Sequence, residues 1–227
     1  MANVILGKNV NFKKVLQNRK EFLSKINVDI NSCVCMWVLG EDGIKEVDKK
    51  DVGYSVKDYK KAVKVDALIT DRKNLYILLL TADCAPVILY DPVQKAVGVV
   101  HAGWRGADKE IVMKAIKNLS DLYGSKPEDL IVGIGPSARK DTFIKNNPKQ
   151  LKDPKWKEFI KKVSGDDYKV DFVGLCKKQL NDAGVLSKNI FDCEVDTIKN
   201  KHFFSHYREK DGDINMQGRF ACVVGLK

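Results

Sequence analysis

Two apolar, strand-like runs separated by a turn signal constrain this chain more than any other stretch. They lie within Leu78–Gly106, LLLTADCAPVILYDPVQKAVGVVHAGWRG. Asp91-Pro92-Val93-Gln94 between them has turn chemistry, so the pattern predicts a β-hairpin. With a four-residue turn there, Tyr90 pairs with Lys95 and Cys84 falls directly across from His101. Opposed side chains in a hairpin lie about 4.5–5.5 Å apart at Cβ. That separation suits a thiolate–imidazole pair or two ligands of one metal. Register decides the matter, because a slip of one residue sends the two side chains to opposite faces. A cysteine in an apolar hairpin is often only a small core residue. Its pairing with one of just three histidines in the chain turns the reading toward function.

After His101 come Gly103, Trp104, Arg105 and Gly106, then a helical pattern. A glycine-bearing turn that opens a helix presents free backbone N–H groups to an anion. Arg105 adds a planar fork of donors suited to phosphate or carboxylate. The stretch thus offers a thiol, an imidazole and an anion seat within one hairpin.

The remaining chain fits one domain over residues 1–227, long enough for an ample core. No run of about 18 apolar residues predicts a membrane span, and the N-terminus has no signal-peptide pattern. Six scattered cysteines without a CxxC pair point to a reducing, cytoplasmic compartment. The net charge is +10, and 34 of the 40 basic residues are lysines spread along the sequence. Nucleic-acid sites focus their charge and add stacking or base-reading groups, so a solvated lysine-rich surface is the better reading. Such a field still draws in a small anionic substrate.

Apolar spacing predicts a helix after an Asn11 N-cap, with Phe12, Val15, Leu16, Phe22, Leu23 and Ile26 facing a sheet. Cys33–Asp48 alternates as a strand, with Cys35, Trp37 and Leu39 on one face. Gly53–Lys64 reads as a turn and short helix, and Asn74–Thr81 as a buried strand. A helix over Asp108–Tyr123 closes at Gly124. Leu130–Ile134 reads as a strand. Pro154 suits the first turn of a helix whose buried face is Trp156, Phe159, Ile160 and Val163. A helix over Val170–Ala183 and strands at Asn189–Glu194 and Ala221–Leu226 complete the chain. Helices and strands alternate, which predicts an α/β fold around a sheet that the hairpin makes mixed.

TADCAPVILYD and VVHAGWRG resemble the laccase-domain proteins, also called YfiH-like or polyphenol-oxidoreductase-like, which are described as purine nucleoside phosphorylases. The resemblance continues through VDALIT, GIGPS, VDFVGLCKKQLNDAGV, FFSHYR and GRFACVVGL. It implies a layered α/β/α architecture related to toxin deamidases and cysteine hydrolases. It implies phosphorolysis of adenosine, inosine and methylthioadenosine, with purine nucleoside and phosphate as partners, and deamination of adenosine. Cys84, His101 and Arg105 are the implied catalytic residues. Asp66, Asp83, Gly103, Ser205 and Arg208 are the implied substrate contacts. Cys84 and His101 are also the implied ligands of a zinc ion. The family's first metal ligand is a histidine in a Gln-x-His-Gly motif. Trp37-Val38-Leu39-Gly40 aligns with that motif and puts Leu39 in its place.

Catalytic zinc generally needs three protein ligands and an open position, so the site reads as incomplete and the activity as weakened or altered. Cys35 lies four residues from Leu39 on the same predicted face, about 13 Å away at roughly 3.3 Å per residue. The family's N-terminal segment, with an arginine- and glycine-bearing strand near the site, falls before the start of this sequence. A multicopper centre needs many histidines and this chain has three, so copper is not expected. Two alternatives stay open. Cys84 is a metal-free thiolate nucleophile activated by His101, or the chain is a non-catalytic relative. Neither a nucleic acid nor a membrane is expected as partner, and the sequence leaves monomer and homodimer open.

Overall fold

The computed structural model describes residues 12–212 and 217–227. Asn11 lies outside them. Six helices of the described chain are α1 (Phe12–Lys25), α2 (Tyr54–Lys57), α3 (Trp104–Asp108), α4 (Ile111–Tyr123), α5 (Phe172–Asp182) and α6 (His206–Glu209). The strands are β1 (Cys33–Cys35), β2 (Ile44–Glu46), β3 (Ala67–Thr70), β4 (Tyr76–Thr81), β5 (Ala85–Asp91) and β6 (Ala96–Ala102). They continue with β7 (Ile131–Ile134), β8 (Ile144–Asn146), β9 (Ile160–Ser164), β10 (Asp167–Val170), β11 (Ile190–Asp192) and β12 (Phe220–Gly225).

A six-stranded sheet runs in the order β11-β7-β5-β6-β3-β2. It is mixed: its β11·β7 and β3·β2 pairs are parallel, and the pairs around the hairpin are antiparallel. One face packs against α4 and α5 through Val87, Leu89, Val100, Ile111, Leu119, Leu175 and Leu180. The other face meets a second sheet, β1-β4-β12. Ile77 and Leu79 of β4 point toward Leu68 and Val99 of the large sheet, while Leu78 and Leu80 point the opposite way, toward Leu23 of α1. A strand apolar on both faces must be covered on both. The α/β class with a mixed sheet therefore holds, with a β layer two sheets thick.

The hairpin forms, but its register differs from the expected one by two residues. Asp91 pairs with Ala96, and His101 faces Pro86. Asp91 Oδ1 accepts hydrogen bonds from the amides of Val93 (2.8 Å) and Gln94 (3.0 Å), which keeps Asp91 in the strand and moves the turn to Pro92–Lys95. Lys95 closes the turn at φ 53°. A two-residue slip preserves the face, so Cys84 and His101 become diagonal neighbours on the same side.

Two further expectations are corrected. Strand pairing after Cys35 continues only through a bridge from Met36 to Val63. Beyond it the backbone curls so that the amides of Leu39, Gly40 and Glu41 reach the Asp66 carboxylate. Residues 160–163 form no helix: β9 pairs antiparallel with β10 across a turn at Gly165, φ 48°. Val163 is exposed there and Trp156 alone is fully buried, its indole N–H donating to Asp108 Oδ1 at 2.7 Å.

Asp192 at the end of β11 accepts two 2.8 Å hydrogen bonds from Arg139 and lies 2.7 Å from Lys177. Burial alone would raise its pKa; the bonds from Arg139 and Lys177 outweigh burial and hold it below the usual carboxylate range. A carboxyl depressed in the folded state stabilises above its unfolded pKa, and that contribution is lost as pH falls through the folded value. Asp192→Asn should therefore lose about 3 kcal/mol at pH 7. The gap between the two proteins' urea midpoints should narrow as pH falls below the usual carboxylate range; a gap that does not narrow would contradict this account.

Candidate active site

Cys84 sits where the chain crosses from one sheet to the other. β4 ends at Thr81 and β5 begins at Ala85, leaving three residues for the corner. Asp83 turns it with φ 78°, a conformation that is uncommon for a non-glycine residue. Its carboxylate is clamped: Oδ1 accepts from Thr197 Oγ1 at 2.6 Å, and Oδ2 from Ser205 Oγ at 3.1 Å and the Tyr207 amide at 2.6 Å. Thr81 Oγ1 donates to the Cys84 carbonyl at 2.8 Å. The thiol that emerges is partly exposed, and its imidazole neighbour is 8% exposed.

His101 leaves β6 with its Nδ1 2.9 Å from Asp66 Oδ1. Asp66 is wholly buried just before β3, and its own carbonyl accepts from the His101 amide at 2.7 Å. Each carboxylate oxygen takes two hydrogen bonds. Oδ1 accepts from Gly40 N and His101 Nδ1, and Oδ2 from Leu39 N and Glu41 N. The loop that supplies these amides is tied to the helical layer by ion pairs from Lys109 to Glu41 and from Lys114 to Asp42. With Nδ1 held by Asp66, Nε2 is left for Cys84. Burial alone would lower the imidazole pKa. The negative charge of Cys84 and the hydrogen bonds to Asp66 and Cys84 outweigh it and push the value up to about 9. The result is an Asp66–His101–Cys84 relay of carboxylate, imidazole and sulfur.

The relay opens on a cavity of ≈ 320 Å³, a size within the usual range of small-molecule sites. Cys84, His101, Gly103 and Arg105 line it, together with Leu39, Cys35, Trp104, His206, Arg19 and Arg219. Gly103 is required by close approach, since a Cβ there would lie 2.6 Å from Cys84 Sγ. Gly103→Ala should leave the fold intact within about 2 kcal/mol, yet displace the thiol. Thermal unfolding and thiol alkylation rates together check this; unchanged alkylation would contradict it.

Four expected substrate contacts stand elsewhere. Asp66 lies behind His101. Asp83 and Ser205 form the clamp under the corner, where Ser205 also caps α6 by accepting from the Arg208 amide. The Arg208 guanidinium donates to the carbonyls of Thr197, Ile198 and Phe203 and bonds Glu209. None of the four lines the cavity. Arg19 and Arg219 were not anticipated. For Arg19 a signal existed: it falls between Val15 and Leu23 at four-residue spacing, on the buried face of α1. A charged residue on an apolar stripe is a candidate for function.

A three-ligand metal centre does not fit these residues. Leu39 occupies the aligned third position, lines the cavity and is half exposed. Asp66 has no free lone pair to turn inward. The Cys35 thiol bonds the Met36 carbonyl, and burial pushes its pKa up. Among the described residues no group of three or more His, Cys, Asp or Glu is placed to share a metal.

A mixed α/β fold with this cysteine–histidine corner defines one class. The chain belongs to the family described as multi-copper polyphenol oxidoreductase laccase, which it matches over residues 2–227. It is 29% identical over 225 residues to a Bacillus subtilis protein named purine nucleoside phosphorylase YlmD, covering 94% of this chain and 77% of that one. The crystal structure of YfiH from Bacillus licheniformis superposes with a TM-score of 0.90 at 28% identity, over 100% of this chain and 86% of that one. YlmD from Geobacillus stearothermophilus gives the same TM-score at 26% identity, over 100% and 85%. No helix among the described residues is long and apolar enough to cross a membrane.

Proposed function

We propose that this chain phosphorolyses purine nucleosides such as adenosine, inosine and methylthioadenosine. The reading is supported most by one observation: the Cys84–His101 pair shares its cavity with three arginines, and no described carboxylate lines it. Phosphorolysis forms a bond between a phosphate oxygen and the sugar C1′ while the C1′–N9 bond breaks. The bonding pair leaves with the purine, which takes up a proton. The cationic lining of the cavity favours the attacking anion, and His101, oriented by Asp66, serves to move a proton. Relatives that carry the name purine nucleoside phosphorylase support the same assignment.

Zinc bound by Cys84 and His101 alone would be held weakly. Adenosine deamination through a metal-held water is therefore not the expected main reaction. Base release from the three nucleosides should require phosphate and fall about 100-fold or more in His101→Ala. Release that is indifferent to phosphate would overturn the proposal. A second reading, thiol-based acyl transfer at Cys84, is favoured by the relay itself, since a buried carboxylate behind a cysteine–histidine pair is the arrangement of a nucleophile and its base. Rapid iodoacetamide labelling of Cys84 that disappears in His101→Ala would support it.

A further inference from the structure

The six arginines of the chain divide into two sets. Arg72, Arg139 and Arg208 each meet a carboxylate, at 3.2 Å from Asp48, 2.8 Å from Asp192 and 3.0 Å from Glu209 respectively. Arg19, Arg105 and Arg219 pair with no carboxylate among the described residues, and all three line the same cavity. They are not equivalent within it. Arg105 is exposed, with its guanidinium 5.4 Å from the Trp104 ring centroid. Arg19 is 4% exposed. Its Nη1 donates to the Val56 carbonyl at 2.6 Å, and its buried Nε has no partner among the described residues. Arg219 is partly buried, and its Nη1 donates to the Gly218 carbonyl at 2.8 Å. It lines the cavity together with Cys84, and burial pushes its pKa down.

A buried guanidinium with no paired carboxylate is unfavourable unless a ligand supplies the charge. The planar fork of arginine matches an oxyanion, and a desolvated seat strengthens each charge-assisted bond. We propose that Arg19 and Arg219 form the seat of the phosphate at the buried end of the cavity, and that Arg105 at the rim is not that seat. The assignment rests on the phosphorolytic reading for the identity of its anion, and inorganic phosphate is the probe.

Calorimetric titration of phosphate into the full chain tests it. Arg219→Met should weaken binding about tenfold or more. Arg19→Lys, which keeps the charge and removes the fork, should weaken it severalfold, whereas Arg105→Met should change it by less than about threefold. If Arg19→Lys fails to fold, the Arg219 result decides. Phosphate affinity untouched by Arg219→Met, a loss carried by Arg105 alone, or no binding at millimolar phosphate would each overturn the seat. Phosphate bound with the expected arginine dependence but no nucleoside cleaved would leave the seat standing and remove the phosphorolytic reading. Cleavage with an affinity indifferent to both inner arginines would do the reverse.

Discussion

Asp66→Asn should destabilise the protein nearly as much as Asp66→Ala, by about 3–5 kcal/mol. An asparagine usually replaces a buried aspartate gently when one oxygen is idle. Here neither is: Oδ1 faces Gly40 N and His101 Nδ1, and Oδ2 faces Leu39 N and Glu41 N. Turned one way, its NH2 group meets the Leu39 and Glu41 amides; turned the other way, it meets the Gly40 amide and forces His101 into the tautomer that accepts at Nδ1. Buried donors without an acceptor cost about 1–3 kcal/mol each. The loop of residues 39–41 would then let go, and it forms one wall of the cavity. Urea unfolding of both variants measures this. A midpoint for Asp66→Asn close to that of the native protein would show that the carboxylate is not the organiser described above.

Leu39→His should raise zinc affinity by roughly 100-fold or more. The substitution restores a third donor to a cavity that already holds Cys84 and His101. Leu39 is half exposed, so the change removes little buried apolar contact. Metal analysis of purified protein should find well under one zinc per native chain and close to one per Leu39→His chain, with Cys84→Ala lowering the second value. One tightly held zinc per native chain would contradict the donor count.

The hairpin was legible because its apolar runs and turn residues lie next to one another in sequence. Its register was not, because a single side chain, Asp91, sets where the turn begins by accepting from two amides ahead of it. The error was harmless since strand faces repeat every two residues. The stretch from Trp156 to Val163 misled for a different reason. Trp156, Phe159, Ile160 and Val163 fall at three- and four-residue intervals, which mimic a helical face, while strand β9 is held by its pairing with β10. Polar residues of the site were legible as chemistry but not as position. Asp83, Ser205 and Arg208 carry the donors and acceptors of a ligand site, yet their partners are one another, Thr197, Tyr207 and nearby carbonyls. Nothing local in the sequence reports which of those partners the fold will bring within reach. Arg19 illustrates the opposite case, a residue hidden by its helix and identified by the burial of the stripe on which it stands.

Phosphorus NMR of the full chain with inosine and inorganic phosphate tests the central assignment most directly. The account predicts a sugar 1-phosphate signal that grows in step with free hypoxanthine and falls about 100-fold or more with His101→Ala. Hypoxanthine released together with free ribose, or no release at all from well-folded protein, would contradict it.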